Sequence, residues 1–501
     1  MRTHCLKLIA LAALMLPAPA ARAQTFPPAG LDAEIVRAMS ELRIPGLAVA
    51  VVKNDSVVFA RGYGVRRLGS AETVDPRTLF AVGSTTKAFT AAAVGALVDD
   101  GRMSWDDRAI DRLPGFALYD PNVTREIRIR DLLSHKSGLG RRGDALWYGT
   151  SLTKEEVIAR IAHLPPATGL RTSLGYQNIM FLAAGESAAH AAGSTWDDLV
   201  RTRIFAPLGM GDATTSVRDL PAGGNVAAPH AEQGGQVRAV PWRVIDNIKP
   251  AGSINAHVLD MSQWLRMWLG GGALGERRVL SDTVVREILT PQIYTPVAPA
   301  AAAATGTHFR AYGMGWVLED YRGRKLAWHN GGIDGMKAQV VLVPKEKLGV
   351  VVLANLHGTG IVEALGYRIV DAYLGAQSGD WVGRLVAQAR AAQAAQEEAR
   401  KRQLEARGEN TTPSLPLESY AGTYHNAMYG DIIVAHAAGK LRVQREKGFA
   451  GEMAHWQHDA FRVVWDDAMV GESVLVFALS TDGKPTTLRV DGLELPFERV
   501  R

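Results

Sequence analysis

The sequence predicts an α/β domain whose sheet is completed by two well-separated stretches of chain, followed by a helical linker and a small antiparallel β-barrel or sandwich. Three observations carry that prediction. β-rich runs at Leu47–Val52 and Val57–Ala60 return as a series at Gly315–Leu318, Lys325–Trp328, Gln339–Val343 and Val350–Leu353, with helical stretches between. An Ala/Gln/Glu/Arg-rich segment from Gly383 to Arg407 runs into a loop, Gly408 to Pro416, that contains two prolines. Beyond it, short β-rich runs recur at Ile432–Val434, Leu441–Val443, Phe461–Val464, Val474–Leu479 and Leu488–Val490, with turns such as Ala438-Gly439 and Asp482-Gly483. At 501 residues the chain is too long for one ordinary core.

The elements follow in order. Arg2 and Lys7, the apolar run Leu8–Leu16 and the small-x-small site Ala21-Arg22-Ala23 read as a signal peptide over residues 1–23, with a retained anchor as the alternative. Leu31–Leu42 has helical spacing and stops at Pro45-Gly46, and the turn pair Asn54-Asp55 joins the first two strands as a hairpin. Ser84–Val98 is an apolar helix closed by Asp99-Asp100-Gly101. The Ala298–Ala304 tract reads as a surface loop, and Val362–Leu374 as the helix that closes the first domain. The expected boundaries are 24–378 for that domain, 379–412 for the linker and 413–501 for the β module.

Composition excludes several function classes. With 47% hydrophobic and 21% charged residues the chain is globular, not disordered or collagen-like. The 56 Lys and Arg, less Arg2, Lys7 and Arg22, leave 53 against 51 Asp and Glu, a net +2 for the expected mature chain. That balance offers no electrostatic case for nucleic acid or an anionic membrane. No run downstream of the signal is long enough to span a bilayer, so an exported, periplasmic or secreted protein without a membrane span is expected. Cys5, the one cysteine, falls in the signal segment, which excludes disulfides, a catalytic thiol and cysteine-ligated metal from the mature chain.

G-x-S-x-G, H-E-x-x-H and G-x-x-x-x-G-K-[ST] are all absent, leaving serine chemistry of another kind. Ser84-Thr85-Thr86-Lys87 opens the apolar helix, so Ser84 and Lys87 share a face one turn apart. A serine there has free N–H groups and the positive helix end beside it, and a lysine desolvated by the helix can act as its base. An ordinary N-cap is the competing reading. Ser151-Leu152-Thr153-Lys154 repeats the spacing, but Thr153 and Glu156 form a capping box before Val157–Leu164, which explains that segment by helix initiation. Tyr176-Gln177-Asn178 offers a phenol to shuttle a proton, with Tyr424-His425-Asn426 as its decoy. Among 13 histidines, His329 in His329-Asn330-Gly331-Gly332 is the one followed by x-Gly, where glycines let a strand approach substrate and Gly332 N–H can serve an oxyanion; a strand-end turn is the bland alternative. His455 and His458 lack a third ligand, so no metal site is expected.

Taken in order, Ser84-x-x-Lys87, Tyr176-x-Asn178 and His329-x-Gly331 resemble the three motifs of the penicillin-recognising serine hydrolases: class C β-lactamases, DD-peptidases, D-aminopeptidases and related esterases, grouped as peptidase family S12. Ile129–Leu139, Pro250-Ala251-Gly252-Ser253-Ile254 and Pro207-Leu208-Gly209-Met210 also look like that family. Tyr420–Tyr424, Tyr429-Gly430, His455-Trp456, Phe461 and Phe497–Val500 resemble a lipocalin-like module appended to some S12 peptidases. The resemblance implies a β-lactamase/DD-peptidase-like sheet with a helical subdomain, Ser84 as nucleophile, Lys87 as base and Tyr176 as proton shuttle. It implies that Asn178, His329, Gly331 and Gly332 meet the substrate, that no cofactor is needed, and that the substrate is a small amide or peptide, with D-residues and a homo-oligomer both compatible. Class C lactamases carry lysine where His329 stands, so the β-lactamase reading is weaker than the peptidase one. An esterase or weak β-lactamase of the same fold, and a non-catalytic peptidoglycan- or β-lactam-binding sensor, remain as alternatives.

Overall fold

Asn54 and Asp55 both adopt positive φ, 50° and 62°, the backbone of a tight two-residue turn whose twist matches the strands it joins. That turn pairs Gly46–Lys53 antiparallel with Ser56–Gly64. The computed structural model describes residues 30–376, 379–408 and 410–500, so the expected signal segment, Cys5 included, lies outside the described residues.

An eight-stranded antiparallel sheet dominates the first domain. Its order is Ser56–Gly64, Gly46–Lys53, Leu348–Ala354, Met336–Val343, Arg324–Ile333, Val317–Tyr321, Arg310–Tyr312 and Ile293–Thr295. Ala48 lies opposite Leu353 and Ala50 opposite Val351, so two distant stretches of chain do complete the sheet. Every residue from Gly46 to Val52 is buried, because both faces are covered. Leu47, Val49 and Val51 face a layer that includes Ile35 of the helix Leu31–Glu41 and Leu365 of the helix Ile361–Tyr373. Ala48, Ala50 and Val52 face the opposite core, which contains Phe89, Trp264 and the helical subdomain. Period-two alternation thus serves two cores at once.

Ala298–Ala304 differs from expectation: Pro299–Thr305 is an α-helix, with Pro299 at its first turn and Gly306 closing it at φ 69°. Alanine is the strongest helix former, and proline at the start costs nothing there. The strands Ile293–Thr295 and Arg310–Tyr312, three residues each, extend the sheet edge on both sides of this helix.

Trp381–Glu405 forms a 25-residue helix with Val382 and Val386 buried. Residues 422–499 then close an eight-stranded antiparallel barrel in sequential order, including strands Gly422–Asn426, Ala450–Gln457 and Phe497–Arg499 beyond the expected runs. Tyr424 is a barrel-core residue whose hydroxyl donates to Tyr420 O at 2.9 Å, so the second Tyr-x-Asn match is structural. No helix among the described residues is long and apolar enough to cross a membrane.

Candidate active site

The Ser84 turn is built by close backbone approach. Val82 N–H donates to Ile254 O at 2.9 Å, Gly83 takes φ 53°, and Gly83–Thr85 forms a 3₁₀ turn that runs into the buried helix Thr86–Asp99. A Cβ on Gly83 would lie 2.6 Å from Gly332 N, and one on Gly331 would lie 1.9 Å from Val82 O and 3.1 Å from Ser84 N. The glycine strand therefore presses directly on the Ser84 turn. This juxtaposition brings the Ser84 and Gly332 backbones to one end of the cleft, the arrangement two oxyanion donors need.

Lys87 is fully buried and donates to Asn178 Oδ1 at 2.7 Å and Ala251 O at 2.8 Å, with Ser84 Oγ at 2.9 Å. Burial is the main force holding its amine well below the usual lysine range; the Asp144 carboxylate opposes the shift and the Arg141 charge adds to it. A neutral amine has two hydrogens and one lone pair. In that neutral form the two acceptor-only carbonyl oxygens take the hydrogens, which leaves the lone pair for the Ser84 hydroxyl. The Asn178 amide is oriented by its other end, where Nδ2 donates to Asp144 Oδ1 at 2.9 Å. Asn178 opens the helix Asn178–Ala192 and lines the cleft. It orients Lys87 and keeps one hydrogen and one lone pair for a substrate amide.

Tyr176 borders the same cleft, its ring centroid 4.8 Å from Lys87 Nζ. Burial raises its phenol above the ordinary value, and a hydrogen bond with Ser84 opposes the rise, so Tyr176 holds its proton at neutral pH. His135, with φ 59°, tilts against the Tyr176 ring at 4.1 Å and accepts the Gln177 N–H at Nδ1. His135 lies within the family-like stretch Ile129–Leu139.

His329 departs from expectation. It is 3% exposed and does not line the cleft. Its Nε2 meets Tyr312 Oη at 2.9 Å and Nδ1 meets Asn330 O at 2.6 Å, so a neutral ring with hydrogen on Nδ1 satisfies both. Burial, then the Lys87 charge, pushes its pKa down to about 3, against a backbone contact that raises it. His329 is thus buried beside Tyr312 and Tyr176, while Asn330, Gly331 and Gly332 line the cleft.

The cleft encloses about 590 Å³ and also receives Arg141, Tyr148, Asp334, Lys337 and, from a barrel turn, Met469. Asp334 follows the glycine motif and accepts from Tyr148 Oη at 2.8 Å and Arg243 Nε at 2.6 Å. Arg243 Nη1 in turn lies 2.7 Å from Asp467 of the barrel. Arg142–Glu494 at 2.7 Å and Arg445 Nη2 to Ala145 O at 2.7 Å add further ties between barrel and catalytic domain. No local pattern in the sequence points to this set, because its members come from distant segments that meet only in the folded chain.

The decoys behave differently. Thr153 and Glu156 make the reciprocal capping contacts at 3.2 and 2.8 Å, and Lys154 pairs with Glu186 at 2.6 Å, away from Ser151. His455 Nε2 is occupied by His458 O at 2.9 Å.

Residues 31–374 match the Beta-lactamase family. The chain belongs to that family. Residues 406–500 match a second family described as a domain of unknown function, DUF3471. Among curated proteins, the chain is 30% identical to an unguisins hydrolase of Aspergillus violaceofuscus, over 92% of this chain and 87% of that protein. It is 30% identical to penicillin-binding protein 4 of Amycolatopsis lactamdurans, over 65% of this chain and 81% of the relative. Two solved structures share the fold: an octameric penicillin-binding protein homologue from Pyrococcus abyssi (TM-score 0.63, 19% identity, 93% of this chain and 98% of that one) and a D-stereospecific amidohydrolase from Streptomyces sp. (TM-score 0.55, 21% identity, 68% and 98%). This beta-lactamase-family protein is a serine hydrolase by fold and family membership.

Proposed function

We propose that the protein is exported and cleaves small amides or peptides through an acyl-enzyme on Ser84. The observation that carries this reading is the Lys87 environment: two carbonyl oxygens hold its hydrogens and the remaining contact is Ser84 Oγ. Ser84 Oγ attacks the carbonyl carbon as its proton passes to Lys87, and Ser84 and Gly332 N–H groups stabilise the oxyanion, each contributing about 3 kcal/mol. The C–N bond breaks as Tyr176 gives its proton to the leaving amine and is reprotonated from Lys87. Water then adds to the acyl carbon, its proton returns through the same groups to Ser84, and the acid leaves; the sum is amide plus water to acid plus amine. The names of the relatives, an unguisins hydrolase and a penicillin-binding protein, support a peptide-like substrate, and the amidohydrolase's name adds D-residues to the series worth testing. The signal-like residues 1–23 support export, and the octameric fold neighbour makes a homo-oligomer part of the reading.

A fluorophosphonate probe tests the assignment. Peptide mass mapping is expected to find the label on Ser84 and to lose it in Ser84→Ala; label on Ser151, or a labelled Ser84→Ala protein, overturns it.

A further inference from the structure

Asp144, Ala145, Trp147 and Tyr148 of the cleft wall come from one segment, the 3₁₀ helix Gly140–Leu146 and the turn after it. Its 7 residues are more than 3₁₀ geometry usually sustains, so the segment needs support from outside. One turn of the barrel gives it. Residues 445–449 join the strands Lys440–Arg445 and Ala450–Gln457 and press on that segment. A Cβ on Gly149 would lie 1.9 Å from Phe449 Cζ, Ser151 N–H donates to Lys447 O at 2.8 Å, and Arg445 Nη2 donates to Ala145 O at 2.7 Å. Arg445 is the unexpected member. Leu441, Val443 and Arg445 alternate into the barrel, so an inward position carries a charge where a barrel core takes an apolar side chain. The guanidinium is 5% exposed and rests over the Tyr429 ring, 5.6 Å from its centroid. Burial lowers its pKa only to about 10, and among the described residues no carboxylate lies within ion-pair distance of it.

Resting on the hydrolase reading above, we propose that Arg445 is a positioning residue for the acylation step: from the barrel it fixes the segment 140–151 so that Asp144 holds Asn178, and through it Lys87, in place beside Ser84. The contacts run without a gap. Ala145 follows Asp144, whose Oδ1 accepts from Asn178 Nδ2 and Trp147 Nε1, both at 2.9 Å. Asn178 Oδ1 accepts from Lys87 at 2.7 Å, and Lys87 lies 2.9 Å from Ser84 Oγ. Chemistry explains why arginine stands at the barrel's end: a charged donor makes a stronger hydrogen bond than a neutral one, and its long stem reaches a backbone carbonyl of the other domain. For the barrel alone an apolar side chain would serve as well, because a buried charge without a partner ion costs stability that packing does not. The charge therefore serves Ala145 O, and with it the segment that orients the base.

The test measures the rate of Ser84 labelling by a fluorophosphonate, together with the melting temperature, on full-length variants. Arg445→Met keeps the stem and removes the donor. It is expected to label roughly 10- to 100-fold more slowly, as a small misplacement at a catalytic centre does, with a melting temperature close to that of the wild type. Arg445→Lys, which keeps a charged donor, should recover part of the rate. Lys447→Ala removes only an exposed ion pair of the same turn, to Glu156, and should label like the wild type. Arg445→Met combined with Asp144→Ala should be about as slow as Asp144→Ala alone, because both interrupt one chain of contacts. A wild-type rate in Arg445→Met, losses that multiply in the double variant, or a rate that merely follows melting temperature across the series overturns the proposal and leaves the hydrolase reading intact. If the wild-type protein is not labelled at all, the hydrolase reading itself fails and this one falls with it.

Discussion

Lys87 shows how burial favours the neutral form of an ordinary side chain. A lysine in water keeps its proton to about pH 10.4, but this one is enclosed by the apolar helix and faced by two carbonyl oxygens. Its depressed pKa has two consequences with definite sign. The acylation rate on an uncharged ester should rise with pH through the Lys87 ionisation and level off well before pH ~10.4, because Tyr176 is shifted the other way and stays protonated. For stability, the unfolded chain binds more protons at Lys87 than the folded one between the folded and unfolded pKa values, so the free energy of unfolding climbs as pH rises through that window. Stopped-flow pH profiles check the first, and urea midpoints of wild type and Lys87→Met check the second. An acylation rate that keeps climbing up to pH ~10.4 would show that Lys87 is not depressed.

At the scale of elements, the site depends on a strand carrying glycines against the turn carrying Ser84. Gly331 is required by contact, since a Cβ there would sit 1.9 Å from Val82 O, a backbone atom that cannot swing aside. Gly331→Ala is therefore expected to displace the strand and lower kcat by roughly 10²-fold or more, as a shift of about 1 Å at a catalytic centre does. Circular dichroism should show the variant folded, and a kcat within a few-fold of wild type would mean that the strand yields without disturbing the oxyanion site. His329 belongs to the same element, where its ring is buried against Tyr312, 6.4 Å from the Tyr176 ring.

For the molecule as a whole, the barrel is part of the cleft wall as well as a neighbour. Met469 lines the cleft, and the Asp467–Arg243–Asp334 chain fixes the turn that carries it to the end of the glycine motif. Met469→Ala should raise kcat/KM for longer or bulkier peptides relative to short ones, and Met469→Trp should do the reverse. Asp467→Ala should act like Met469→Ala and also lower stability by about 1–3 kcal/mol, the value of a partly buried charge-assisted contact. A peptide-length series with thermal denaturation on each variant measures both. An unchanged length preference in all three would mean that the barrel does not limit the substrate.

The sequence by itself determined the elements whose causes are local. Alternation and a two-residue turn specified the first hairpin, an apolar run closed by Asp-Asp-Gly specified the helix after Ser84, and spacing put Ser84 and Lys87 on one face. It also separated Ser84 from Ser151, because the capping box at Thr153 and Glu156 is itself a local hydrogen-bonding pattern. The helix Pro299–Thr305 has a local cause too, in the alanine content of Ala298–Ala304. Only tertiary structure decided which way His329 faces, where the hydrogens of Lys87 go, and that Arg142 is committed to the barrel while Arg141 is not. It alone placed Met469 and Asp467 beside a cleft more than 80 residues earlier in the chain. The physical reason is that burial and hydrogen-bond satisfaction are set by atoms brought together from distant segments, and no periodicity in the chain encodes those meetings.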